Sequence, residues 1–138
     1  QAFFAYGIVP VVNENDTVSV EGLMFTDNDE LAGILSRLIQ ADLLIILSSV
    51  DGLYDGDPAA PESKLIRIVS PGEDLTHVVS EKTSSQGRGG MSTKLQVAAR
   101  AAQEGITVVV ANGMRHSVLA DVVAGREVPC TRFLPRKA

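Results

Sequence analysis

The stretch DNDELAGILSRLIQADLLIILSSVDGLY, residues 27–54, decides how this chain folds. Its first half carries Leu31, Ile34, Leu35, Leu38 and Ile39. Steps of three and four residues put these side chains on one face of a helix. Asp27, Asn28 and Asp29 stand just before that face. Short carboxylates and amides there accept hydrogen bonds from the first unpaired N–H groups and oppose the positive end of the helix dipole. Residues 43–47 are apolar without a break, as in a strand covered on both faces. Residues 48–61 are rich in Asp, Gly and Pro and read as a loop.

The same alternation extends in both directions. Upstream, residues 8–12 form a short apolar run that predicts a buried strand. Residues 13–26 alternate through Val18, Val20, Leu23 and Phe25, consistent with a hairpin or flap. Downstream, residues 64–69 alternate as a strand and residues 71–79 suit a short helix. Residues 84–90 form a loop of small residues before a helix over 91–104. That helix turns Leu95, Ala98, Ala99 and Ala102 inward and stops at Gly105. Residues 107–111 are a β-branched strand, residues 117–124 a helix ended by Gly125, and the tail to Leu134 an edge strand. The order β-α-β-loop-α-β-α predicts an α/β chain with a mainly parallel sheet and helices on both faces. Ligands of such sheets sit beyond the carboxyl ends of the strands.

Composition narrows the function. The 138 residues are 45% hydrophobic and 21% charged, an ordinary globular balance. With four Phe, two Tyr and no Trp, the core is built from Val, Ile, Leu and Ala. A formal net charge of -5 argues against a nucleic-acid partner, which needs a basic face. Cys130 is the lone cysteine, so no intrachain disulfide forms and the plain reading is a reducing, cytoplasmic home. No apolar run has the length to span a bilayer. His77 and His116 lack the pattern of a metal site, and Arg115 and Arg126 read as solvated.

Four polar constellations follow apolar strands or open helices. Asn13-Glu14-Asn15-Asp16 suits an amino acid, carboxylates gripping its ammonium and amides its carboxylate; an Asx-rich turn uses the same residues. Asp27-Asn28-Asp29 exceeds what one helix cap needs and suits lysine orientation or substrate binding. Gly87-Arg88-Gly89-Gly90-Met91-Ser92-Thr93-Lys94 offers backbone N–H groups, hydroxyls and a cation to phosphate oxygens. Lys94 in a first helical turn opposes the helix dipole, so an anionic partner is expected. The run is neither a Walker A loop nor a G-x-G-x-x-G fingerprint, since Thr93 precedes Lys94. In residues 48–58, Ser48 and Ser49 can meet a phosphate or ribose and Tyr54 a base, unless the stretch is only an Asp- and Gly-rich turn.

Together these pieces resemble the amino acid kinase family, over nearly the whole chain. Asp51-Gly52-Leu53-Tyr54 and Gly89-Gly90-Met91-Ser92-Thr93-Lys94 are similar to segments shared across that family, uridylate, aspartate and acetylglutamate kinases included. Val9-Pro10-Val11-Val12 leading into Asn13-Glu14-Asn15-Asp16, Thr26-Asp27-Asn28-Asp29, and Val109-Val110-Ala111-Asn112-Gly113 complete the match. The Asn-Glu-Asn-Asp and Asp-Asn-Asp pieces resemble the branch that acts on glutamate.

The resemblance implies an αβα sandwich, of which residues 1–138 are a C-terminal, nucleotide-binding portion. A phosphate loop and second catalytic lysine, and any RNA-modification-type domain, are expected outside it. It implies transfer of the ATP γ-phosphoryl group, with Mg²⁺ held mainly through the phosphates, to the γ-carboxylate of L-glutamate at the first step of proline synthesis. By resemblance, Lys94 sits on the transferring phosphates and Asp29 orients the catalytic lysines. Asn13, Asp16 and Asn28 hold glutamate. Ser48, Ser49, Tyr54 and Asp57, with Arg88, Gly89, Gly90, Met91, Ser92, Thr93 and Lys94, form the nucleotide site. Ser49 departs from the Asp that some members carry. Feedback inhibition by proline and a homo-oligomer when complete are further implications. This portion alone is expected to be inactive. The competing readings are a kinase with a nucleotide-monophosphate acceptor, a non-catalytic nucleotide-binding module and a generic dinucleotide-binding domain.

Overall fold

A computed structural model of the chain describes residues 5–13, 28–75, 78 and 90–137. Among these, helix α1 spans Asn28–Leu38, α2 Met91–Gln103 and α3 Val118–Val123. The strands are β1 (Leu43–Ser48), β2 (Ile68–Val69), β3 (Thr107–Asn112) and β4 (Cys130–Phe133). They form one sheet in the order β1-β3-β4-β2. β1 and β3 are parallel, with Leu43 opposite Thr107 and Ser48 opposite Asn112. β2 and β4 are also parallel, whereas β3 and β4 are antiparallel. The sheet is thus mixed, two of its three described pairings being parallel.

Successive residues of a strand face opposite sides. In β3 that alternation sorts the core into two layers. Val108 and Val110 join Leu44, Ile46, Phe133 and the inward residues of α2. Val109 and Ala111 join Val118 and Val122 of α3 on the other face. The helices therefore lie on both sides of the sheet, but β1 is not covered on both faces as expected: Leu43 and Ile45 are only partly buried and Leu47 is 41% exposed.

Each helix ends in the same hydrogen-bonded turn. Ala41 N–H reaches Ser36 O at 2.8 Å, Ile106 N–H reaches Ala101 O at 3.1 Å and Arg126 N–H reaches Asp121 O at 2.9 Å. This closure needs a left-handed residue just past the helix. Gly105 and Gly125 supply it for α2 and α3, and Gln40, at φ 55°, for α1.

Several expectations are corrected. Residues 8–12 form no strand, and Val11 is 94% exposed. An apolar run becomes a strand only with a neighbour to pair with, and none of the described strands pairs with it. The stretch 64–69 keeps only Ile68–Val69 as strand, because Leu65 folds back to bridge Tyr54. Residues 71–75 are irregular, closed by Glu73, whose Oε2 accepts from Ser70 N–H at 2.8 Å; of residues 76–79 only Val78 is described, and it is helical. The tail strand is not an edge: β4 lies between β3 and β2, since Thr131 and Phe133 are fully covered there. In α2, Ala101 is buried beside Leu95, Ala98 and Ala102, and Ala99 is only partly covered.

The most telling correction concerns α1. Its buried positions are Gly33 and Ser36, while Leu38 of the apolar stripe is 76% exposed. The small-residue face packs on α2 because small side chains let two helices approach closely. The flap over 13–26 and the loop over 84–90 lie outside the described residues, except Asn13 and Gly90.

Candidate active site

The site grows from the direction of the helices. α1 feeds β1 and α2 feeds β3 through short connections, so each helix runs back against its strand. The N-termini of α1 and α2 therefore come together at the carboxyl ends of β1 and β3. Residues 65 positions apart meet there: Lys94 Nζ donates to Asp29 Oδ2 at 2.5 Å. The two side chains are only 17% and 16% exposed. Both belong to first turns. Asp29 suits its position by the helix dipole; Lys94 does not, and the carboxylate opposite offsets it.

The first turn of α2 brings no anion of its own: it has no acidic residue, and Gly90 makes no side-chain cap. Gly90, Met91, Ser92 and Thr93 lead directly to Lys94. Beside this start, Asn28 Nδ2 donates to Asn13 Oδ1 at 3.1 Å, so two of the residues expected to hold substrate touch. Asp16, Arg88 and Gly89 lie outside the described residues, as do Glu14, Asn15 and Asp27.

A second cluster lies beyond β1 and β3. Ser48 closes β1, and its carbonyl accepts from Gly113 N–H at 2.9 Å. Ser49 follows, exposed. Asp51 is gripped from the β3 side: Arg115 Nε and Nη2 each donate to it at 2.8 Å, and Asn112 Nδ2 at 3.2 Å. The Arg115 hydrogen bonds, helped by Asn112 and opposed by burial, hold the Asp51 carboxyl below its ordinary range. Arg115 is thus fixed rather than simply solvated. Arg126 is likewise paired, to Asp121 at 2.7 Å.

The loop after Asp51 is anchored to β4. Thr131 Oγ1 accepts from Leu53 N–H at 2.8 Å and donates to Ile66 O at 2.6 Å. Gly52 lies so close that a Cβ there would stand 2.3 Å from Thr131 Oγ1 and 2.8 Å from Thr131 N. From this anchor the chain makes a folded excursion. Tyr54, half-buried, bridges Leu65. Asp57 Oδ1 accepts from Ala59 N–H at 2.9 Å, so its carboxylate shapes its own turn.

Sequence reading singled out Asp29 and Lys94 and gave no role to the residues that hold this frame. Arg115 and Thr131 carry no local signal, since each acts on a partner distant in sequence. Gly33 does carry one, because an isolated glycine within a helical pattern often marks close packing.

An open α/β sheet with helices on both faces, its polar residues gathered beyond two parallel strands, defines the class: a layered α/β chain with a ligand site at the strands' carboxyl ends. Solved structures agree on the fold. The UMP kinase from Ureaplasma parvum superposes with a TM-score of 0.55 at 17% identity, covering 80% of this chain and 43% of that one. A T. acidophilum isopentenyl phosphate kinase product complex gives 0.55 at 20% identity, over 76% and 38% of the two chains. Residues 1–112 match the Amino acid kinase family, and the chain belongs to that family. The glutamate 5-kinase of Bacteroides thetaiotaomicron is 50% identical over 130 residues, 94% of this chain and 36% of its own. That of Caldanaerobacter subterraneus is 42% identical over 134 residues, 96% and 36%. The chain spans about a third of the length of these relatives.

Proposed function

We propose that this chain supplies the nucleotide side and part of the acceptor site of an ATP-dependent kinase acting on the γ-carboxylate of L-glutamate. The observation that carries the reading is the largely buried Lys94–Asp29 pair at the start of α2. The names of the relatives select the acceptor. On this reading a γ-carboxylate oxygen attacks the γ-phosphorus, the bond to the β,γ-bridging oxygen breaks, and ADP leaves with that electron pair. Glutamyl 5-phosphate, an acyl phosphate, remains. A glutamate carboxyl, with an ordinary pKa of about 4.3, is already ionised at neutral pH, so no general base is required.

The residues of the chain act by position and charge. Lys94 places a cation on the phosphoryl group as its charge spreads. Asp29 holds that ammonium in place and takes no proton. N–H groups and hydroxyls from Gly90 to Thr93, with Arg88 and Gly89, receive phosphate oxygens. Asn28 and Asn13, with Asp16, hold the amino acid. Ser48 and Ser49 line the nucleotide site, with Tyr54 and Asp57 toward the base and ribose.

Among the described residues no cluster of carboxylates, His and Cys is built to hold a metal ion. In this reading Mg²⁺ is carried mainly by the phosphates, where it would supply charge neutralisation. In the same reading the complete protein is a homo-oligomer that opens proline synthesis in the cytoplasm and is inhibited by proline. Residues 1–138 alone form part of each site and are inactive. Among the described residues, no helix is long and apolar enough to cross a membrane.

The test is ATP-dependent acyl-phosphate formation by the full reading frame encoding this chain, trapped as hydroxamate. Glutamate, aspartate and acetylglutamate serve as acceptors, with UMP assayed in parallel. Turnover with glutamate, reduced by a factor of about 10² or more in Lys94→Ala, is the expected result. Turnover with UMP alone, or undiminished turnover in Lys94→Ala, would overturn the reading.

A further inference from the structure

We infer that Gly33 and Val97 form a matched small–large pair that sets the spacing of α1 and α2, and so positions Asp29 on Lys94. The inference rests on the kinase reading above for its consequence, and on geometry for its cause. The two helices run side by side in the same direction and touch at three levels. At their N-terminal ends Lys94 Nζ meets Asp29. At their C-terminal ends Arg37 Nη1 meets Glu104 Oε1 at 2.8 Å. Between these lies Gly33, and a Cβ built there would stand 2.7 Å from Val97 Cγ1.

That distance is well inside van der Waals contact, so something must move if Gly33 gains a methyl group. Val97 is poorly able to yield. A β-branched side chain in a helix has one strongly preferred rotamer, and Val97 also packs against the core cluster on α2's side of the sheet. The Gly33 end is fixed as well. Its carbonyl accepts from Ser36 Oγ at 2.8 Å and from Arg37 Nε at 3.1 Å, and Arg37 is tied in turn to Glu104. The free response is a parting of the helices toward their N-termini. Asp29 lies one turn before Gly33, and Lys94 one turn before Val97. A parting there acts directly on the ammonium–carboxylate pair. Gly33 touches neither nucleotide nor acceptor in this assignment; it is a positioning residue.

The alternative account is helix propensity. Glycine inside a helix is unfavourable relative to alanine. On propensity alone, Gly33→Ala would raise the melting temperature and leave turnover untouched. The steric account predicts the reverse, and it predicts repair by Val97→Ala, which removes the clashing methyl group.

The experiment is a double-mutant cycle in the full-length enzyme: wild type, Gly33→Ala, Val97→Ala and the double variant, with Lys94→Ala alongside. Each is measured for kcat, for KM of ATP and glutamate, and for melting temperature. Gly33→Ala is expected to lower kcat about tenfold or more, with KM for glutamate changed by less than about threefold. The double variant is expected to recover most of that loss relative to Val97→Ala. If Gly33→Ala fails to fold, recovery of a folded, active double variant supports the pairing equally. Wild-type turnover in Gly33→Ala, or a double variant no better than the single, overturns it. Lys94→Ala separates the failures. Inactive Lys94→Ala beside fully active Gly33→Ala sinks only the positioning role, while fully active Lys94→Ala sinks the kinase reading and this inference with it.

Discussion

Asp51 shows how one residue binds distant parts of the sequence into a frame. Its carboxylate receives two hydrogen bonds from Arg115 and one from Asn112, so the end of β3 and the loop after β1 share a fixed corner. The folded chain holds this carboxyl below the ordinary value of 3.8. A depressed carboxylate contributes stability above its unfolded pKa and loses it as pH falls through the folded one. Melting temperature of the wild type is therefore expected to fall more steeply below pH 3.8 than that of Arg115→Ala, in which the partner is gone. The effect is modest, because the Arg115 side chain is 45% exposed and surface pairs are screened by water. Identical acid limbs in a pH series of thermal melts would refute it. Local sequence carries the Asp-Gly turn itself and is silent on its partner, because Arg115 lies 64 residues away.

Helix ends illustrate what a single element encodes. Gly105 and Gly125 are stop signals that a reader finds in the sequence, because only glycine enters the left-handed region without a steric cost. Gln40 closes α1 in the same way at φ 55°, with Gln40 N–H on Arg37 O at 3.1 Å. A side chain in that region costs about 1–2 kcal/mol, partly offset by the freedom that glycine gives the unfolded chain. Gln40→Gly is therefore expected to stabilise the protein by about 0.5–1 kcal/mol in urea titrations, without moving the helix. The α1 face was legible only in part. Residues 27–29 signalled a helix start and periodicity found the helix, but its apolar stripe of Leu31, Ile34, Leu35, Leu38 and Ile39 is not the buried face. The buried positions are Gly33 and Ser36. Periodicity ranks residues by hydrophobicity, whereas close helix–helix packing selects them by size.

At the scale of the whole molecule, Thr131 joins the middle of the chain to its C-terminal strand. Its hydroxyl is enclosed by β4, Leu53 N–H and Ile66 O, in contacts 78 and 65 residues apart in sequence. Thr131→Val keeps the shape and removes both bonds. The orphaned Leu53 N–H is buried, and such a group costs about 1–3 kcal/mol. A loss of that size in urea unfolding is expected, with Thr131→Ser recovering part of it; no loss in Thr131→Val would contradict the anchoring role. By itself, the sequence determined the α/β class, the strands β1 and β3, the helices α1, α2 and α3, and the need of Lys94 for an anionic partner. Those features follow from periodicity, capping and charge within a few neighbouring residues. Tertiary structure alone decided that β4 lies inside the sheet and antiparallel to β3, that residues 8–12 pair with no described strand, and that Arg115 and Thr131 hold the frame. These depend on which surfaces meet, and a surface is completed by residues far apart in the chain that no local pattern connects.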